Sequence, residues 1–121
     1  MDKKVAFLLY LKERETAVLE DAARLAAEDR KDESNLLKAR ATIYGILKSL
    51  YGAAEKVSGP EETAIAADFL DRATNIPAMW RSAMELARSH GDAKRVAVEE
   101  AKLAAVDESV AEFRRIFEVQ E

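Results

Sequence analysis

The sequence predicts an all-α protein, an antiparallel up-down-up-down bundle of four helices whose third member is kinked or broken at Pro77. Composition, punctuation and period carry this. Alanine, leucine, glutamate, lysine and arginine dominate, with only four glycines and two prolines in 121 residues, as in long amphipathic helices. Breakers gather in the charged run "EDRKDESN" at 28–35, in "SGP" at 58–60 and in "HGD" at 90–92. They leave four segments of nearly equal length, and within each the apolar residues recur every three or four positions. Similar helices joined by short connections pack as antiparallel neighbours. Residues 1–121 read as one domain, because 49% hydrophobic content in a chain of this length can bury a core without staples.

In the first segment Leu8, Leu11, Val18, Ala22 and Leu25 form the inward stripe, widened by Leu19 and Ala26. The opening "MDKKVAFLLYLKERE" has lysines before an apolar run, as a signal peptide does. The run is short, charged residues come directly after it, and no small-residue cleavage pattern is present, so a buried start of helix is expected. The second segment carries Leu36, Ile43, Leu47, Leu50, Ala54 and Val57 on one face. "EDRKDESN" holds neither glycine nor proline, so the first two helices either separate there, with Asp32 or Ser34 as N-cap, or fuse into one long helix. Ser58 to Glu61 supply a glycine to close one helix and a proline for the first turn of the next.

Ile65, Phe69, Leu70 and Ala73 begin the third segment, and Pro77 then removes a backbone donor. Met79, Trp80, Ala83, Met84, Leu86 and Ala87 resume the period until Gly91, and Asp92 can cap the fourth helix. The fourth segment keeps the rhythm through Val96, Leu103, Val106, Val110, Phe113 and Phe117.

Several kinds of chemistry are absent. Without cysteine there are no disulfides, thiolate metal sites or thiol nucleophiles. A di-metal carboxylate site needs a Glu-x-x-His pair on each of two helices, whereas this chain has one histidine, His90, beside the Gly91 stop. No metal, cofactor or phosphate loop is expected, and an enzyme is not. A net charge of −4 with interspersed signs argues against nucleic acid. No apolar run reaches the ~20 residues of a membrane span. Cytoplasmic residence is the expectation.

Three places invite a functional reading. In "YGILKSLYG" two Tyr-Gly pairs stand seven residues apart. On a helical wheel Gly45 and Gly52 lie nearly opposite the core direction, Thr42 and Ser49 complete a strip of small residues, and Tyr44 and Tyr51 flank it. The strip either faces water or a bundle neighbour, or it admits another helix with the tyrosines as anchors. Next, Pro77, Met79, Trp80 and Met84 either fill the core or line an apolar pocket opened by the bend. Finally, Arg40 and Glu99 fall on inward stripes at nearly equal heights, with Glu15 roughly 12 Å lower, which suggests a buried Arg40–Glu99 ion pair unless both side chains run to water. The reading these support is a non-enzymatic, self-associating interaction module whose partner is a second copy or another helical protein. The alternative is a small-molecule-binding bundle.

Overall fold

Each amphipathic segment becomes one helix. In a computed structural model, which describes residues 2–119, these are α1 (Lys3–Ala27), α2 (Lys31–Ser58), α3 (Glu62–Ser89) and α4 (Ala93–Phe117). No strand occurs among the described residues. The bundle is the one the periodicity predicts, with α1 and α2 as separate helices. Asp29 adopts a left-handed conformation (φ 62°) and turns the chain between them. Neither Asp32 nor Ser34 is the N-cap of α2. The helix starts earlier, at Lys31, and the buried Ser34 hydroxyl donates to the Ala22 carbonyl at 2.7 Å, tying the first turn of α2 to α1.

Glycine is required at two turns. A Cβ on Gly59 would lie 2.5 Å from the Glu55 carbonyl oxygen, and Gly91 has φ 70°. The carboxylates of Asp2 and Asp92 cap α1 and α4 by accepting from the Val5 and Arg95 backbone N–H groups. These bonds satisfy donors that the first turn of a helix leaves free.

Pro77 does not break α3, which runs unbroken through it. Proline costs the helix one hydrogen bond, but Pro77 is buried and the apolar face continues on both sides of it, so packing against α4 outweighs that loss. The ion pairs Lys4–Glu55 and Lys94–Asp32 show the relative directions: α2 runs against α1 and alongside α4. Helix α2 packs against all three others, whereas α1 meets α4 only lightly and its backbone does not approach α3.

Every helix sends an aromatic ring into the lower core, and α4 sends two, Phe113 and Phe117. Phe7 lies 5.3 Å from Phe69 and 5.0 Å from Phe113, and Tyr51 lies 6.0 Å from Phe69, all between ring centroids. Such pairs add about 0.5–1.5 kcal/mol each beyond the area they bury. The opposite end is built of smaller and polar groups, including Ala22, Ser34, Ala87 and the buried Glu99.

Candidate functional site

The small-residue strip of α2 is open. Thr42, Gly45, Ser49 and Gly52 are all exposed. A Cβ on Gly45 would meet only the Glu15 carboxylate, at 3.7 Å, and one on Gly52 would meet nothing within 4 Å. No bundle neighbour demands either glycine.

Tyr44 and Tyr51 are not surface anchors. Only 1% and 3% of their surfaces are exposed. Because α2 touches three helices, its buried arc is wider than its own leucines suggest and takes in the tyrosine flank. Each ring then needs a place for its hydroxyl. Tyr44 accepts from Arg40 Nε at 3.1 Å and lies 3.4 Å from the Glu108 carboxylate. Burial, assisted by the charges of Glu55, Asp2 and Glu62, pushes the Tyr51 hydroxyl up to about 12.

The wall of the strip comes from α1. Val5, Leu8, Leu9, Lys12 and Glu15, facing Gly45 and Lys48, line an open groove of about 470 Å³ between α1 and α2. Its apolar rim belongs to a longer pattern: Val5, Leu9, Lys12, Thr16, Leu19, Ala23 and Ala26 succeed one another at alternating spacings of four and three, and all are exposed. Val5, Leu9 and Leu19 remain 53%, 43% and 45% exposed. Alternating four-three spacing follows one face of a helix, and here Val5, Leu9 and Leu19 make that face apolar on either side of the polar Lys12 and Thr16. Thus α1 has two seams. The inner one, through Phe7, Leu11, Val18, Ala22 and Leu25, is buried within the subunit. Leu19 and Ala26 do not widen it but lie on the outer one.

Behind the groove, Glu108 of α4 joins three helices. Its carboxylate accepts from Tyr10 and Arg14 of α1, each at 2.9 Å, and pairs with Arg40 of α2. Burial alone would raise the Glu108 carboxyl, but the Tyr10 hydrogen bond and the Arg40 and Arg14 charges outweigh it and hold the group below its ordinary range. Burial and the neighbouring carboxylate raise Tyr10. For Arg14 and Arg40 burial pulls downward, yet Tyr44 and Glu108 win and both guanidiniums lie above their usual value.

Arg40 therefore pairs with Glu108 and not with Glu99. The two glutamates are nine residues apart on α4, which at 100° per residue puts them on opposite sides of the helix. Height alone does not choose between them. Glu99 is 1% exposed, and its Oε1 takes Arg95 Nε at 2.9 Å and Lys102 Nζ at 3.5 Å. Its Oε2 has no hydrogen-bond partner among the described residues.

Nor do the residues around Pro77 share one pocket. Met79 is 72% exposed, and Trp80 is half-buried with Lys102 Nζ 5.7 Å from its ring centroid. The shallow cleft that Pro77 does line is completed by Ala73, Thr74, Arg81 and residues of α4, without Met79, Trp80 or Met84. Helix α3 stays continuous through the proline.

Among the described residues no cluster of three or more His, Cys, Asp or Glu is arranged to hold a metal ion, and no helix is long and apolar enough to cross a membrane. No protein-family model, curated protein or solved structure matches this chain.

Proposed function

We propose that this protein is a non-enzymatic, self-associating interaction module that docks a helix on the outer face of its α1–α2 hairpin. The observation that carries this reading is the exposed line of Val5, Leu9 and Leu19 on α1, with Lys12 and Thr16 between the leucines, beside the open glycine strip of α2. An isolated surface leucine means nothing, but leucines in seam register along one helix form an interaction face. Each glycine inside a helix costs about 1 kcal/mol relative to alanine. Nothing within the subunit offsets that cost at Gly45 or Gly52. A helix laid along the groove offsets it, because bare backbone permits close approach and extensive contact.

Light scattering over a concentration series, on wild type and on two variants, tests the reading. Leu9→Glu charges the seam, and Gly45→Leu with Gly52→Leu fills the strip. All three positions are exposed, so circular dichroism should show unchanged helix content. The expected result is a wild-type mass that rises with concentration and variants that stay monomeric. A wild type that remains monomeric throughout, or variants that associate as well as it does, would refute the proposal.

A further inference from the structure

The outer seam also indicates how two copies meet, an inference that rests on the docking reading above. We propose that α1 of a second copy lies antiparallel on α1 of the first, about a two-fold axis at the level of Arg14, with Leu9 of each copy facing Leu19 of the other.

The seam is self-complementary. Laid antiparallel about residue 14, its positions fall into matching layers: Val5 on Ala23, Leu9 on Leu19, and Lys12 on Thr16. Apolar meets apolar at both ends, and the polar layers meet at the centre. Arg14 itself points inward to Glu108 and so does not stand on the axis. A parallel arrangement would instead stack Lys12 on Lys12, two like charges in one layer, which is costly.

Charge points the same way. Glu13 and Glu20 border the seam beside Thr16, and all three are exposed. Among the described residues neither glutamate has an ion-pair partner within the subunit, and neither does Lys12. Across the axis, Lys12 of each copy arrives opposite Thr16 and hence between Glu13 and Glu20 of the other. One cation meets two carboxylates, twice, with Lys48 and Glu15 at the α2 side of the groove. Complementary rims of this kind set partner and orientation in paired helices. A foreign helix would need the same spacing of apolar residues and a cation at the same layer, which a second copy already has.

The absence of cysteine makes the arrangement directly testable in the intact chain. Leu9→Cys and Leu19→Cys chains, mixed and oxidised, should form a 9–19 disulfide between copies. Leu9→Cys alone should not link, because its equivalent would lie ten positions along the facing helix. That is ~15 Å, too far for a disulfide. Val5→Cys mixed with Ala23→Cys repeats the test with both leucines intact.

A charge exchange is the second arm. Lys12→Glu chains, and separately Glu13→Lys with Glu20→Lys chains, should each lose self-association by about tenfold or more, while their mixture recovers it. Leu9→Cys linking as readily alone as in the mixture would overturn the antiparallel register. So would a concentration-dependent dimer that links in neither cysteine pair. In both cases the docking face survives if Leu9→Glu still dissociates the dimer, and falls with the register if it does not. A wild type monomeric at every concentration removes both ideas at once.

Discussion

Arg40 and Glu108 join the α2 side of the bundle to α4, and the two side chains are 25% and 33% exposed. A double-mutant cycle with Arg40→Met and Glu108→Gln measures their coupling. Fully exposed pairs are worth about 0.2–1 kcal/mol, whereas removing one partner of a fully buried pair costs about 3–5 kcal/mol. The partial burial here sets the expectation between these limits. Glu108→Gln should cost about 2 kcal/mol, because Tyr10, Arg14 and Arg40 all lose the same acceptor charge while the two arginines keep some access to water. The Arg40–Glu108 coupling should be about 1 kcal/mol. In a domain of this size a loss of 2 kcal/mol lowers the melting temperature by about 8 °C.

Urea titrations monitored by circular dichroism at neutral pH supply the numbers, and Arg40→Met with Glu99→Gln serves as the control cycle. That control should show no coupling, since Glu99 faces the other side of α4. A 40–108 coupling under ~0.3 kcal/mol, or an equal coupling in the control, would refute the geometry. The pH dependence has a definite sign. The folded Glu108 carboxyl titrates below its ordinary value of 4.5, so its contribution is present above about pH 4.5 and is lost as pH falls through the lower folded value. Glu108→Gln should therefore flatten the acid limb of the stability profile. Identical acid limbs for wild type and variant would contradict this.

Two further perturbations separate open from crowded positions. At concentrations low enough to keep the chain monomeric, Gly45→Ala and Gly52→Ala should each stabilise the subunit by about 0.5–1 kcal/mol in thermal melts, because the new methyl group enters free or loosely occupied space within the subunit. Gly59→Ala should do the reverse, given the 2.5 Å approach of its Cβ to the Glu55 carbonyl. Destabilisation of the monomer by Gly52→Ala would show that the strip is not open within the subunit. Glu99→Met should leave stability unchanged or raise it by up to about 1–2 kcal/mol. It removes a buried carboxylate with one unpartnered oxygen, and Arg95 and Lys102 retain access to water. A loss above ~1 kcal/mol in denaturant titrations would mean that Glu99 is held by partners other than these two.

What the sequence reveals here depends on whether a property belongs to one helix or to the relation between helices. Apolar period, the Gly91 stop and the Asp92 cap are local, since neighbours in sequence are also neighbours on the helix surface. They are legible without the fold. The fate of Tyr44 and Tyr51 is not, because the width of the buried arc of α2 depends on how many helices surround it. Three do, and the flank that a surface helix would leave for docking lies under its neighbours. Pro77 is similar: its local cost is plain, but continuity of α3 is decided by the apolar face it shares with α4.

The Arg40 assignment fails for a different reason. An antiparallel or parallel register fixes height along the axis, and the height of Glu99 is reasonable, but partnership also requires azimuth. Glu99 and Glu108 differ by half a turn around α4, so only one of them can face the gap between α1 and α2. Azimuth also distinguishes the outer face of α1. Leu19 and Ala26 fit an inward stripe only if the stripe is allowed to widen, whereas a second phase of the four-three pattern collects Val5, Leu9, Leu19 and Ala26 without widening anything. A helix that satisfies two phases of that pattern has one face for its own subunit and one to spare. The burial of Phe7, Leu11 and Val18 shows which face the fold uses, and so leaves the Leu9 face exposed, the face that the docking proposal invokes.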